Sequence, residues 1–135
     1  MDTNILVCDD EETVRELISV VLGMAGYHVS TAANGVEALQ MIKDKIDHYQ
    51  LVLTDHKMPR MDGLGLVRKM RENAFPGKII VLSGSFDAAD ITAYKKLAVD
   101  VIMRKPFDFA EFRTAVSGLL SHQIPGVPLI SVVNR

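Results

Sequence analysis

Three acidic residues, a serine and a lysine each stand at or just after the end of a short apolar run. They are Asp9, Asp10, Asp55, Ser83 and Lys105. Carboxylates held close together repel one another, and a hard divalent cation such as Mg²⁺, which prefers oxygen ligands, removes that repulsion. An ammonium group and a hydroxyl can both hold phosphoryl oxygens. The set is therefore suited to phosphoryl transfer onto a carboxylate beside Mg²⁺, with Mn²⁺ as an alternative ion.

Each of these residues taken alone has a simpler explanation. An Asp that follows a strand commonly caps the next helix or solvates a loop. A Ser-Gly turn or a single Lys is even less specific. Capping does not explain why carboxyl groups, a hydroxyl and an amine occur together at four neighbouring strand ends. The interpretation as a phosphoryl-transfer site therefore rests on their joint occurrence.

The elements that position these residues follow from an alternation along the chain. Short β-rich apolar runs alternate with longer segments whose apolar residues recur every three or four positions, which predicts βα units around a parallel sheet. The predicted strands are Ile5 to Cys8, Tyr27 to Thr31, Leu51 to Thr54, Lys78 to Leu82 and Val99 to Met103. Five pairs in roughly 120 residues predict an open, doubly wound α/β sheet rather than a barrel, with ligands at the carboxyl ends of the strands.

The predicted helices have recognisable ends and apolar stripes. Predicted cap residues are Gly26, Asp87 and Asp108, and the second helix is predicted to begin at Asn34-Gly35. The stripes place Leu17 of the first helix and Phe109 of the fifth helix in the core. Pro125, Gly126 and Pro128 then interrupt any helix. We therefore predict one domain over residues 1–121 and a tail or the start of a linker over residues 122–135.

Composition excludes several classes of function. The 135 residues include 15 Lys and Arg against 17 Asp and Glu, so a formal charge of -2 gives no general attraction for nucleic acid or an anionic membrane. No apolar stretch approaches the ~20 residues of a membrane span, and the N-terminus does not resemble a signal peptide. A cytoplasmic location is the expectation.

The cysteine and the histidines predict no separate chemistry. Cys8, in an apolar run, is expected to be a buried and unreactive thiol. The histidines lack metal-ligand spacing and are expected on the surface or in turns; they are His28, His48, His56 and His122.

At this point the sequence resembles the response-regulator receiver family, from residue 4 to about residue 121. The matching segments are Ile5 to Glu11, Leu51 to Pro59, Met61 to Gly63, Ile79 to Ser83 and Arg104 to Phe107. The resemblance implies a flavodoxin-like fold of five parallel strands in the order 2-1-3-4-5. It also implies a phosphorelay switch, in which a histidine kinase or histidine phosphotransfer protein donates a phosphoryl group and a conformational change alters binding to a downstream protein or output domain.

The family resemblance implies a role for each matching position. Asp55 would accept the phosphoryl group, while Asp9 and Asp10, with Asp55 and the backbone carbonyl of Lys57, would hold Mg²⁺. Ser83 would be the switch hydroxyl, and Lys105 the ammonium that pairs with the phosphoryl group. Pro106 would follow a cis peptide bond, and Gly63 would permit a tight loop. Beyond self-phosphorylation from small donors and slow self-dephosphorylation, no enzymatic activity is expected.

Four positions modulate this expectation. Ile102 stands where the family often has a Tyr or Phe whose rotamer change reports phosphorylation. An Ile cannot make this aromatic swing, and a loop shift at Ser83 to Ser85 is the alternative. Gly84 leaves access to the site open. Lys57 and Ser85 flank the reaction, and we hypothesise that Lys57 alters the rate of dephosphorylation.

Two other functions and one assembly remain open at this stage. An aspartyl-phosphate hydrolase of the haloacid dehalogenase kind also uses a strand-end Asp with Mg²⁺, but it usually has two acids spaced by one residue and a cap domain. An interaction module without phosphate chemistry would not need mutually repelling charges. A homodimer through the face from the fourth to the fifth helix is a further expectation that the sequence leaves open.

Overall fold

The computed structural model describes residues 2–121 and 131–133. Within these residues, six strands and five helices alternate along the chain, beginning and ending with a strand. The strands are β1 (Asn4–Cys8), β2 (His28–Ala32), β3 (Leu51–Asp55), β4 (Lys78–Ser83), β5 (Val101–Arg104) and β6 (Ser131–Val133). The helices are α1 (Glu12–Met24), α2 (Gly35–Asp44), α3 (Gly63–Glu72), α4 (Ala88–Lys96) and α5 (Phe109–Ser121).

The strands form one parallel sheet in the order β2-β1-β3-β4-β5-β6. This confirms the predicted doubly wound fold with five strands in the order 2-1-3-4-5. Because the order reverses beside β1, the carboxyl ends of β1 and β3 open a crevice between connections that leave in opposite directions. That crevice is where ligand chemistry is expected in such sheets.

A sixth strand is the main difference from the predicted architecture. The sequence predicts a tail over residues 122–135, whereas Ser131–Val133 pairs in parallel with β5. The edge of β5 offers unpaired backbone groups, and the β-branched residues Val132 and Val133 favour extended structure. Residues 122–130 and 134–135 of the predicted tail lie outside the described residues, and the domain boundary at residue 121 stays a prediction.

Two apolar layers, one on each face of the sheet, hold the helices in place. Successive strand residues point to opposite faces, so Leu6 packs in one layer and Val7 in the other. The first layer includes buried residues of α2, α3 and α4, and the second includes buried residues of α1 and α5. Both faces of the sheet are therefore covered, which explains why β3 and β4 are nearly continuous apolar runs.

The predicted helix caps are confirmed. Asn34 accepts a hydrogen bond from the Glu37 amide at the start of α2. Asp87 forms a reciprocal capping box with Asp90 at the start of α4. Asp108 accepts from the Ala110 amide before α5. Gly26 has φ 95°, a backbone conformation that a residue with a Cβ rarely adopts.

The far end of α4 is tied to α3 by one side chain. The guanidinium of Arg71 donates to the carbonyl oxygens of Leu97 at 2.8 Å and Ala98 at 2.9 Å. These carbonyls belong to the end of α4, where backbone acceptors otherwise lack partners. The C-terminal end of α4 is thereby fixed to α3.

Two residues predicted in the core are exposed instead. Leu17 of α1 is 48% exposed because it lies beside, rather than on, the stripe through Ile18 and Leu22 that meets the sheet. Phe109 is 37% exposed because it is the first residue of α5, where its ring contacts the Phe107 ring.

Among the described residues, no helix is long and apolar enough to cross a bilayer.

We expect Phe112→Ala to lower the free energy of unfolding by about 3–5 kcal/mol, because Phe112 is fully buried against the sheet and its removal leaves a cavity. Phe109→Ala, on the same helix but half exposed, should cost less than about 1 kcal/mol. Urea denaturation followed by circular dichroism measures both. Equal losses for the two variants would contradict the packing described here.

Candidate functional site

The parallel register brings the polar residues predicted from the sequence to one edge of the sheet. The register pairs Cys8 of β1 with Thr54 of β3, and Asp55 with Leu82 of β4. The polar residues that end β3 and β4, or that follow β1 and β5, therefore lie at nearly the same level. The residues brought to this edge are Asp9, Asp10, Asp55, Ser83 and Lys105.

Three carboxyl groups form an acidic cluster at this edge. One carboxylate oxygen from each of Asp9, Asp10 and Asp55 lies within 4.8 Å of the others. Asp9 and Asp55 are buried, with 2% and 8% exposure, whereas Asp10 is exposed. Burial raises the pKa of Asp55, and the neighbouring charges of Asp9 and Asp10 raise it further against the opposing effects of Lys105 and the His56 amide. Oxygen-only ligands that repel one another in this way fit a hard divalent cation.

Lys105 is the positive charge that faces the cluster. Its ammonium lies 2.9 Å from Asp9 Oδ2 and 3.6 Å from Asp55 Oδ2. Burial alone would lower the pKa of Lys105, but the hydrogen bond to Asp9 and the negative charges of Asp55 and Asp9 outweigh it, so the pKa stands above its usual value. Lys105 is therefore a stable cation at neutral pH. The peptide bond to Pro106 is cis, as predicted.

Asp9 is held from several directions. Its Oδ1 accepts from the Glu11 amide at 2.9 Å while its Oδ2 faces Lys105. The guanidinium of Arg15 on α1 donates to the Asp9 carbonyl oxygen at 2.7 Å. Both the backbone and the carboxylate of Asp9 are thus fixed before any ligand binds, which reduces the reorganisation that binding requires.

Ser83 is buried beside the cluster but its hydroxyl turns toward the following loop. Ser83 Oγ lies 3.3 Å from the Ser85 carbonyl oxygen, to which it donates, and accepts from the Ser85 amide at 3.2 Å. A Cβ built on Gly84 would meet no atom within 4 Å. The loop from Ser83 to Ser85 therefore has room to change at Gly84, while open access for a phosphoryl group at this position stays a prediction.

The loop after β3 carries Lys57, whose side chain is exposed. The next residue, Met58, places its sulfur 3.4 Å from the thiol of Cys8, immediately before Asp9. This contact holds the backbone around Lys57 beside β1. Burial raises the pKa of the Cys8 thiol to about 12, in agreement with the prediction of a buried, unreactive cysteine.

Gly63 closes the same loop onto the end of β3. A Cβ at Gly63 would collide with the Asp55 carbonyl oxygen and would lie 2.8 Å from the Tyr94 hydroxyl. The Gly63 amide donates to the His56 carbonyl at 2.8 Å. Only glycine fits here, so the prediction of a tight loop at Gly63 is confirmed.

Comparison with known proteins identifies this arrangement. The sequence profile of the response regulator receiver domain matches residues 5–117. The chain belongs to the response regulator receiver family. The match runs from β1 into α5 and leaves out β6. It therefore contains the whole acidic cluster together with Lys105 and Ser83.

Individual relatives agree with this assignment. The receiver domain is 34% identical over 121 residues to sporulation initiation phosphotransferase F of Bacillus subtilis, covering 89% of this chain and 95% of that protein. It is 38% identical over 117 residues to the probable transcriptional regulator ycf27 of Cyanophora paradoxa, covering 86% of this chain but 47% of that protein. The chain thus spans about half the length of some relatives.

Solved structures have the same fold. Chemotaxis protein CheY4 of Vibrio cholerae superimposes with a TM-score of 0.81 at 25% identity, covering 89% of this chain and 100% of that one. A receiver domain protein from Clostridium thermocellum gives a TM-score of 0.81 at 27% identity, covering 87% of this chain and 94% of that one. The doubly wound fold of the receiver domain is therefore shared with experimentally determined members of its family.

His56 corrects one prediction from the sequence. The sequence places it on the surface or in a turn, but the structure buries it to 7% exposure between β3 and α4. Its ring nitrogens meet Tyr94 and Asp90 on α4. The sequence did contain one signal of this burial: His56 directly follows Asp55, so its backbone must lie beside the site. Sequence reasoning also missed Arg15, whose role depends on the approach of α1 to Asp9.

Ile102 lies away from the polar cluster. It is fully buried in the middle of β5 and packs in the layer that contains Tyr94. Its β-branched side chain is restricted at χ1 and has no ring to swing. How the state of the site is relayed without an aromatic residue at this position stays a prediction.

The charge arrangement predicts opposite effects on the pKa of Asp55. Lys105→Met should raise the pKa of Asp55, because it removes the cation that favours the carboxylate. Asp9→Asn should lower the pKa of Asp55, because it removes a repelling charge and leaves Asp55 as the remaining carboxylate that pairs with Lys105. Carboxyl ¹³C NMR titration without divalent cations measures the pKa, and Lys96→Met on the exposed face of α4 is the control. Shifts of the same sign in Lys105→Met and Asp9→Asn would contradict this geometry.

Proposed function

We propose that Asp55 is the phosphoacceptor of this receiver domain and that a histidine kinase or histidine phosphotransfer protein is its donor. The observation that carries the proposal is the buried Asp55 carboxylate, which lies within 4.8 Å of two further carboxylates and 3.6 Å from the Lys105 ammonium. A nucleophile among acids and a cation has the surroundings that phosphoryl transfer requires, namely positioning and charge neutralisation.

Mg²⁺ fits the acidic cluster, with Asp9, Asp10, Asp55 and the backbone carbonyl of Lys57 as its proposed ligands. The mutual repulsion behind the raised pKa of Asp55 supports a cation in this place. When bound, such an ion neutralises negative charge that the carboxylate and the phosphoryl oxygens share. Mn²⁺ has the same preference for oxygen and is an alternative.

The two oxygens of Asp55 have different surroundings. Oδ1 accepts from the His56 amide at 2.8 Å, and Oδ2 faces Lys105. We assign the attack to Oδ2, which forms the new oxygen–phosphorus bond as the phosphorus–nitrogen bond of the donor histidine breaks. Lys105 then holds a phosphoryl oxygen, and Ser83 Oγ turns from the Ser85 backbone toward the phosphoryl group.

The partners follow from this role. The similarity to sporulation initiation phosphotransferase F supports a phosphorelay donor, and the similarity to longer proteins named transcriptional regulators supports a downstream protein or output domain that responds to phosphorylation. A homodimer through the face from α4 to α5 is a further assembly that a phosphorylation-dependent change in α4 would influence.

Incubation with Mg²⁺ and acetyl phosphate or phosphoramidate should add one phosphoryl group to the wild-type chain, detected by intact mass. Asp55→Asn should abolish the addition because it removes the nucleophile. Lys105→Met should slow it without changing the maximal addition of one group, and a chelator should prevent it.

Two results would contradict the proposal. Undiminished modification of Asp55→Asn would place the phosphoryl group on another residue. Sustained turnover of small phosphate esters by the wild type would instead favour the hydrolase alternative, in which the acyl phosphate is an intermediate and not a signal.

Lys57→Ala tests whether the exposed lysine two residues after Asp55 controls the lifetime of the acyl phosphate. We expect the half-life of phosphorylated Asp55 to change by about threefold or more, because a removed ammonium alters how water approaches the phosphoryl group. Decay of the phosphorylated species by intact mass is the measurement. Lys43→Ala, on exposed α2, is the control, and an unchanged half-life in Lys57→Ala would remove Lys57 from this role.

A further inference from the structure

The absence of a ring at Ile102 leaves open how events at Asp55 reach α4, which lies on the edge of the site. Ile102 is fully buried on β5, in the apolar layer that also contains Tyr94. A different connection must begin at a residue in contact with Asp55 and end on α4. His56 meets both conditions.

The backbone of His56 is bound to the site itself. Its amide donates to Asp55 Oδ1 at 2.8 Å and lies 3.1 Å from the Leu82 carbonyl of β4. Its carbonyl accepts from the Gly63 amide at the start of α3. A change in the position or charge of the Asp55 carboxylate therefore acts directly on the His56 amide.

The side chain of His56 carries two polar contacts to α4. Nδ1 lies 2.6 Å from the Tyr94 hydroxyl, and Nε2 lies 3.3 Å from Asp90 Oδ2. A carboxylate only accepts, so we assign the neutral ring a proton on Nε2, facing Asp90, and Nδ1 as the acceptor of the Tyr94 hydroxyl. Both nitrogens are engaged, and the two partners lie about one helical turn apart on α4.

Aromatic packing encloses this connection. The His56 ring lies 5.4 Å from the centroids of both Phe86 and Tyr94, and Phe86 stands in the loop that leads into α4. The guanidinium of Arg104 lies 5.4 Å from the Phe86 centroid. Burial against these two rings leaves the His56 ring little freedom to absorb a displacement by itself.

Gly63 makes room for the connection. The Tyr94 hydroxyl reaches to within 2.8 Å of the position that a Gly63 Cβ would occupy, next to the Asp55 carbonyl. Tyr94 is itself fully buried. Its hydroxyl is therefore held between the end of β3 and the start of α3, beside the loop that follows Asp55.

We infer that His56 is a positioning residue that carries the state of Asp55 to helix α4 through the Tyr94 hydroxyl and Asp90, in the place of an aromatic relay at Ile102. The inference rests on the proposed role of Asp55 as phosphoacceptor. A ligand on Asp55 alters the hydrogen bond to the His56 amide, the ring moves with its backbone, and α4 follows because its first two turns are bound to that ring.

Tyr94→Phe tests the connection, because it removes one hydroxyl and keeps the ring and its packing. The probe is beryllium fluoride with Mg²⁺, a mimic of the acyl phosphate, and the readout is the ¹H–¹⁵N spectrum of the full chain. In the wild type the amides near Asp55 and Ser83 and those of α4 should all shift. In Tyr94→Phe the amides near Asp55 and Ser83 should shift as before, whereas the shifts of α4 should fall at least about twofold.

The matched control is Tyr49→Phe. Tyr49 is also a buried tyrosine of the same apolar layer, but it lies just before the start of β3, at the other end of the strand from Asp55. It should respond like the wild type. A general loss of packing would reduce the shifts at the site and at α4 together, whereas loss of the connection reduces those of α4 alone.

The double variant His56→Phe with Tyr94→Phe gives a second test if Tyr94→Phe does not fold, because neither polar atom is then left without a partner. It should give the same selective loss at α4. Unchanged α4 shifts in either folded variant, with the site still responding, overturn the inference. A wild type whose amides near Asp55 do not respond overturns the proposed function first, and this inference with it, so the two failures are distinguishable.

Discussion

The Lys105 ammonium between two buried carboxylates is the interaction on which the rest of this site depends. Asp9 and Asp55 lose hydration at the end of the sheet, and a carboxylate without a partner there would take up a proton. Lys105 opposes this effect at Asp55, where its charge lowers the pKa against burial, and it forms an ion pair with Asp9. The cost of this arrangement is that any new ligand must compete for contacts that already exist. The site begins in an ordered state in which one ammonium offsets only part of the negative charge of the three carboxyl groups.

The parallel sheet makes that arrangement possible without long loops. The pairing of β1 with β3, and of β3 with β4, sets the levels at which the strands end, and the two apolar layers fix the sheet from both faces. The charged groups lie at the rim of a rigid frame. Small displacements at the rim are therefore passed to the adjoining loops and not absorbed by the core.

Much of this could be predicted from the sequence because the signals are local. Strand positions follow from apolar runs, helix starts from residues such as Asp87, and the acidic site from Asp9 and Asp55 at the ends of strands. The burial of His56 could not be predicted in this way, because it depends on Tyr94 and on the approach of α4. The prediction that Phe109 lies in the core was wrong for a related reason. Periodicity predicts which face of a helix is buried, but not how far along the helix the core extends.

Helix α4 is held differently at its two ends. Arg71 binds the carbonyl oxygens that close its C-terminal end, whereas its N-terminal end begins at an exposed capping box after the loop from Ser83. If α4 tilts in response to the site, its displacement is smallest at Leu97, which Arg71 fixes, and largest near Asp87. The surface around the start of α4 would then present the state of the site to another molecule.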